Sequence, residues 1–461
     1  MEQEVSFRDR PSTVGDGGKR QWIFAKIPQG KLTTYRHIVA FILLGFFFIT
    51  PHLRYNGDPF LLLNIMQRKF ILFGSIFWPQ DTYLLGIAMA SFVVFIVLFT
   101  VVYGRVWCGW ACPQTVFMEI MFRRVETWID GGPDAQRKLR EQGLTTTKLT
   151  KRLIKFLAFF AIAFASVNTF VSYFVGTQGL YEAYGNGFAG HGFMLGFIVF
   201  FTFVGMFIYW WFREQACTVL CPYGRLQGSL VDNDTMIVAY DYKRGEPRGM
   251  RKKEGTESGD CIDCKNCVAV CPTGVDIRNG TQLECVNCTA CIDACNAVMR
   301  KMKRPEGLIR ITSERLLQEG GKFKFTGRMI MYSVILGALL VFLAYLISLR
   351  TDIETTILRT PGMIYQVQDS GRISNMYNIR IVNKTRKDAE IHLKTENIDG
   401  LIRIPGNAIQ LKAGSSTEMV FVLLLDSTQV TTPKKEIIFG IYKDGKRFET
   451  FNTTFVGPKS Q

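Results

Sequence analysis

The sequence predicts a mixed fold in three parts: an α-helical polytopic membrane domain of about five spans, an inserted cysteine-rich domain, and a C-terminal β-sandwich. Three observations carry this. Apolar stretches recur that approach or exceed the roughly 20 residues needed to cross about 30 Å of hydrocarbon. Eight cysteines crowd into residues 261–295, and apolar and polar residues begin to alternate with period two after residue 350. The bulk figures agree. A chain of 461 residues with 48% apolar residues, 37 Phe, mean hydropathy +0.12 and net charge +16 is too apolar for a disordered polymer. It averages a greasy part with a basic soluble part. Twelve cysteines over this length are too sparse for a small disulfide scaffold.

The clear spans are 82–103, 153–175, 192–212 and 328–349. The stretch 37–53 is shorter and carries Pro51, but residues 38–50 hold no charge, so it also reads as a span. Phe60–Trp78 is interrupted by Gln67-Arg68-Lys69 and reads as an interfacial or re-entrant element. Residues 1–36 are polar and charged, unlike a cleavable signal peptide. Lys and Arg set the orientation. They crowd the 1–36 arm and the 104–152 loop, and the 176–191 loop has none. The arm, the 104–152 loop and the 213–327 segment are therefore expected in the cytoplasm, and 350–461 outside. Much of the +16 then has a topological job, and a nucleic-acid partner is not needed. The basic run Arg300–Arg328 fits the same role, as an anchor before the last span. The domains expected are a cytoplasmic arm (1–36), a membrane domain (37–240), a cytoplasmic cysteine-rich domain (241–327), a last helix (328–349) and an outer domain (350–461).

All 12 cysteines fall on the side expected to be cytoplasmic, where thiols stay reduced, so metal is the natural use. Eight of them run Cys261-x2-Cys264-x2-Cys267-x3-Cys271-Pro272, then Cys285-x2-Cys288-x2-Cys291-x3-Cys295. This is the spacing of a two-cluster ferredoxin, in which the fourth ligand of each cluster comes from the other run. The spacing assigns Cys261, Cys264, Cys267 and Cys295 to one [4Fe–4S] cluster. It assigns Cys285, Cys288, Cys291 and Cys271 to the other. Asn296 stands where a second proline is expected, and the link from Cys271 to Cys285 is short. A pair of four-cysteine zinc sites is the competing reading, but three ligands within seven residues suit a cubane better than one tetrahedral ion.

The remaining four cysteines form an internal repeat. Arg105-Val106-Trp107-Cys108-Gly109-Trp110-Ala111-Cys112-Pro113 follows one span, and Arg213-Glu214-Gln215-Ala216-Cys217-Thr218-Val219-Leu220-Cys221-Pro222 follows another. On a helix, positions i and i+4 share a face. If the two motifs meet, four soft thiolates converge at the membrane surface as a candidate catalytic and copper or redox site. The competing reading is that small cysteines pack helix ends. His37, His52 and His191 lie at span ends rather than centres, and no Cys-x-x-Cys-His occurs, which speaks against haem.

The tail alternates through Tyr377–Ile381 and Glu390–Lys394, with further strand candidates at Met419–Leu425 and Ile437–Tyr442. Lys443-Asp444-Gly445-Lys446 is a hairpin turn into Phe448–Phe455. Some seven strands in about 110 residues predict an immunoglobulin-like sandwich without the antibody Cys pair or Trp. No catalytic constellation shows in it, so it reads as a docking module or an inert cap.

This order of parts, with Trp107-Cys108-Gly109-Trp110-Ala111-Cys112-Pro113-Gln114-Thr115, resembles the cytochrome c oxidase accessory protein family, CcoG, also written FixG or RdxA. The resemblance covers nearly the whole chain. Polyferredoxins of the NapH type share the Cys motifs but lack the tail. The resemblance implies a bacterial inner-membrane protein with two [4Fe–4S] clusters that reduces Cu(II) to Cu(I) for assembly of cbb-type cytochrome c oxidase. It implies copper at Cys108, Cys112, Cys217 and Cys221, and a copper transporter or chaperone and oxidase assembly factors as partners. The competing functions are a quinol-coupled relay, as in NapH relatives, and a non-enzymatic assembly scaffold. The sequence leaves the cytoplasmic electron donor and the direction of electron flow open.

Overall fold

The computed structural model describes residues 13, 19–65, 69–78, 81–249, 259–362, 364–368, 371–385, 387–405, 409–443 and 445–458. Arg8, Arg10, Gln67, Arg68 and Asp444 lie outside the described residues. The chain forms two compact units, Met1–Gln67 with Leu85–Leu343, and Arg68–Leu84 with Ala344–Gln461.

Five helices are long and apolar enough to cross a membrane, as expected: Lys31–His52, Thr82–Tyr103, Thr146–Asn186, Gly190–Phe212 and Gly327–Ser348. The first starts six residues before the expected 37, so His37 lies inside it, its ring contacting the Arg124 guanidinium at 3.0 Å. The third runs well past the expected 153–175. Its basic first turns are held by Lys148, which donates to the Arg140 carbonyl at 3.2 Å. Gly176 (φ 76°) breaks it, and a further helical stretch follows where a loop was expected. That φ lies in the left-handed region, which glycine enters without steric cost.

Between spans two and three the chain stays helical from Pro113 to Asp130, with one wide turn over Phe117–Phe122. Its faces fill the interior. Val116 and Ile120 pack on Ala40 and Leu44 of span one, and Phe122 packs on Phe159 and Met206 of spans three and four. The cysteine-rich segment belongs to the same compact unit as these helices. Strand Ile237–Tyr240 pairs antiparallel with Ile309–Thr312 and brackets the segment. Helix Ala290–Lys301 then caps span one. The backbone N–H of Thr33 (2.6 Å) and its hydroxyl (2.7 Å) both donate to Asp293, an acceptor supplied from outside the helix it caps. Gly30 stands at the N-cap because a Cβ there would lie 2.2 Å from the Asp293 carboxyl carbon. Asp293→Ala is expected to cost about 1–3 kcal/mol, read as a lower thermal midpoint in detergent.

The stretch 60–78 is neither a span nor a re-entrant helix. Leu61–Asn64, Lys69–Leu72 and Ser75–Phe77 are short strands, the last two a hairpin in the second unit. Its halves are too short to cross, and the Phe73-Gly74 corner, both residues at positive φ, turns the chain back.

The tail is the expected immunoglobulin-like sandwich. One sheet has the order Leu401–Arg403, Ser416–Asp426, Arg372–Asn383, Ile353–Arg359, with Gln366–Val367 paired to the third of these. The other runs Ile409–Leu411, Ala389–Thr395, Lys434–Lys443, Lys446–Val456. Tyr377, Phe421 and Phe439 meet at ring distances of 5.3–5.5 Å in the core between them. Asp81 is buried in this unit against Arg350 (2.9 Å) and Lys384 (2.6 Å).

Candidate metal and electron-transfer centre

The two ferredoxin-spaced runs share one backbone pattern. Asp263 and Lys265 in the first, and Asn287 and Thr289 in the second, all have left-handed φ, between 51° and 64°. Non-glycine residues rarely adopt this region, and its use twice at matching positions wraps each run tightly around a centre. Cys261, Cys264, Cys267 and Cys295 line one cavity, walled by Tyr240 and Met299. Cys271, Cys285, Cys288 and Cys291 line a second, walled by Val238 and Ile277, with Cys267 at its edge. The first cavity thus has three cysteines of one run and the last of the other, and the second has the converse set with Cys267 shared between the two.

These donor sets fit iron–sulfur clusters. Among the described residues no three His, Cys, Asp or Glu side chains approach closely enough to share one metal ion. A tetrahedral zinc site needs all four sulfurs about 2.3 Å from one ion, whereas a cubane spreads its ligands over a larger core. Burial pushes the Cys267 and Cys285 thiols up to about 12 and Cys295 up to about 11. The apolar walls disfavour bare thiolates and leave their charge to be balanced by bound iron.

The structure also brings the four repeated cysteines together. Cys108 lies within electrostatic reach of Cys112 and Cys221, and Cys217 within reach of Cys108, Cys112 and Cys221. The condition for a shared helical face, a continuous helix through each motif, is not met. Cys108 sits in helix Val106–Trp110, but Cys112 lies beyond its end with extended backbone (φ −61°, ψ 126°). Cys221 repeats this (φ −68°, ψ 110°) after the wide turn Ala216–Leu220. Pro113 and Pro222 then open new helices, which explains both breaks, because the residue before proline is pushed out of the helical region.

Gln227, fully buried, accepts from the Cys108 thiol (3.0 Å) and from Arg105 Nε (3.2 Å). Burial pushes Cys108 up to about 11 against the pull of Arg105, and Cys217 up to about 12. The site abuts the second cysteine set. Cys108 packs with Val286, Cys288 and Ala290, and a Cβ on Gly109 would lie 2.4 Å from the Val286 carbonyl oxygen and 2.8 Å from Cys288 Cα.

The two repeats differ in their arginines. Arg213 is gripped by Glu126 (2.7 and 3.2 Å), which also binds Lys155 (2.6 Å), and Lys155 reaches Asp130 (2.8 Å). Burial alone would raise Glu126, but Arg213 and Lys155 hold its carboxyl down at about 2. Gln227, Glu126, Lys155 and Asp293 escaped the sequence reading. Glu126 is one of five carboxylates in the basic 104–152 loop, and nothing in the sequence singles it out.

Five apolar helices, two cysteine sets shaped for clusters and a four-thiol site define a membrane iron–sulfur electron-transfer protein, an oxidoreductase. Comparison with known proteins agrees. Residues 212–314 match a family described as a 4Fe-4S dicluster domain, residues 85–132 a 4Fe-4S binding domain, and residues 343–458 the IG-like fold at the C-terminal of FixG. Protein RdxA of Cereibacter sphaeroides is 35% identical over 399 residues, covering 82% of this chain and 83% of that protein. Protein RdxB of the same organism is 35% identical over 403 residues, with coverage of 82% and 83%. Nitrogen fixation protein FixG of Rhizobium meliloti is 30% identical over 446 residues, covering 85% and 82%. The chain belongs to the FixG/RdxA family.

Proposed function

We propose that this protein is a cupric reductase of the bacterial inner membrane, which converts Cu(II) to Cu(I) for assembly of cbb-type cytochrome c oxidase. The observation that carries the reading is the direct packing of Cys108-Gly109 on Val286–Cys288, which joins the second cysteine set to the four thiols. In this reading Cys261, Cys264, Cys267 and Cys295 hold one [4Fe–4S] cluster, and Cys271, Cys285, Cys288 and Cys291 the other. Bound clusters supply one-electron storage. The chain supplies the rest: apolar walls that exclude water, and four thiols that receive copper as substrate. Cu(II) takes up one electron, provided by a cytoplasmic one-electron donor, and becomes Cu(I), which soft thiolates favour. Two of the four thiols suffice for Cu(I), consistent with a set too wide for one ion bound by three or more. The Cu(I) passes to a copper transporter or chaperone. The positive-inside pattern supports a cytoplasmic N-terminus and cluster region, with the sandwich in the periplasm.

Anaerobic, fully reduced protein titrated with Cu(II) is expected to yield Cu(I), captured by a colorimetric chelator, as the cluster absorbance returns to its oxidised form. Reduced protein that leaves Cu(II) untouched sinks the proposal. Cys108→Ser and Cys217→Ser are expected to lower bound copper while the cluster spectrum stays intact. Unchanged copper stoichiometry would make the thiols packing groups only.

A further inference from the structure

The two cysteine sets stand in different electrostatic surroundings. Two of the arginines near the first are neutralised, and a third, the partly exposed Arg304, donates to the Gly259 and Asp260 carbonyls (3.1 and 2.6 Å) beside Cys261. Arg278, within reach of Cys267, is ion-paired to Asp263 and to Asp276 (2.6 Å). Arg244, within reach of Cys295, is paired to Asp260 (2.5 Å). Around the second set two buried guanidiniums have only neutral partners; the buried Asp293 carboxylate, also without a cation, stands two residues from both Cys291 and Cys295 and so bears on both sets. Arg36 donates from Nε to the Gly109 carbonyl (2.7 Å), whose residue rests on Cys288. Arg105 donates to the Gln227 amide oxygen (3.2 Å) and shares a cavity wall with Cys285. Among the described residues neither forms an ion pair, although both are more than nine-tenths buried (7% and 8% exposed). Glu119, the carboxylate that also faces Cys288, is engaged by Arg123 (2.7 Å). An uncompensated buried charge is costly, and a negatively charged centre opposite it removes that cost. The Val275 N–H also donates to Cys271 Sγ (3.2 Å), a further stabilisation of negative charge on this set.

We infer that Arg36 and Arg105 make the cluster at Cys271, Cys285, Cys288 and Cys291 the higher-potential one, so that electrons enter at the Cys261–Cys267 set and run toward the four thiols. The inference rests on the two-cluster reading. Adding an electron makes a cluster more negative, and a nearby cation favours that state. Exposure of Cys264 acts the other way, because water stabilises the added charge at the first set. The two buried guanidiniums outweigh this and the single, more exposed Arg304, since they act through dry protein, where their attraction is little screened. Arg36 and Arg105 are positioning residues: one holds the Gly109 carbonyl and the other the Gln227 amide.

The test is a potentiometric titration of the full-length protein, followed by electron paramagnetic resonance. Cys264→Ser alters the signal of the first set and so assigns the two signals. In the wild type the second-set signal is expected to appear first as the potential is lowered. Arg36→Gln and Arg105→Gln should each move that signal to lower potential and leave the other in place, and Arg→Lys at either position should restore most of the shift. Reduction of the first set before the second, or Gln variants that move both signals or neither, overturns the inference. If the Gln variants do not fold, the order of reduction in the wild type still decides. A wild type that binds fewer than about eight iron atoms refutes the two-cluster reading instead, and iron analysis separates the two failures.

Discussion

Gly109→Ala is expected to leave iron and sulfide content unchanged and to slow Cu(II) reduction by about ten- to a hundredfold, as a displacement on the order of 1 Å does at other reaction centres. The added methyl would meet the Val286 carbonyl oxygen at 2.4 Å and the Cys288 α-carbon at 2.8 Å. Both are backbone atoms in a loop tied down by left-handed residues at Asn287 and Thr289, so neither can swing aside. The seam must open, at a cost of about 1–3 kcal/mol, and the thiols move away from the second cysteine set. Stopped-flow mixing of prereduced protein with Cu(II) reads the rate, and iron analysis confirms loading. An unchanged rate in a fully loaded Ala variant would show that electrons do not cross this seam.

Glu126→Gln is expected to destabilise the protein by about 3–5 kcal/mol, the usual cost of breaking a buried ion pair from one side. The loss removes the main partner of Arg213 and one of two partners of Lys155, and so loosens the helix Arg123–Asp130 from spans three and four. The pH dependence follows from the direction of the Glu126 shift. Its folded value of about 2 lies below the roughly 4.3 of a free glutamate, so its contribution is complete above the higher value and disappears as pH falls through the lower. Between pH 5 and 8 the difference between wild type and variant should stay constant, and below about pH 4 it should shrink. Thermal unfolding in detergent across that range measures it. A variant that melts with the wild type at pH 7 would show that the adjacent Glu214, 3.8 Å from Arg213 Nε, suffices for Arg213.

Much of this was legible in the sequence. Span positions follow from length and apolarity, properties of a segment alone, and the sandwich follows from period-two runs such as Tyr377–Ile381. The pairing of each cysteine run with the last cysteine of the other also follows from spacing, because three near-neighbour ligands leave a cubane's fourth corner to a distant residue. What could not be read depends on neighbours far apart in the chain. Asp293 looks like an ordinary polar residue on a helix until Thr33 is placed beside it, 260 positions away. Arg105 and Arg213 look equivalent in the repeat, and only the fold shows that one has carboxylates and the other does not. Cys108 and Cys112 would share a face only on a continuous helix, and that condition is not met, since Pro113 forces the preceding residue into extended backbone. The hairpin within 60–78 was missed because a charged interruption was weighed against a span and not against a turn.

The Asp293 cap bears on both cysteine sets. Asp293 sits between Cys291 and Cys295, which belong to different cavities. Seating this one carboxylate on the start of the first membrane helix therefore orients ligands of both centres in a single event. Unseating the carboxylate therefore disturbs ligands of both cavities together.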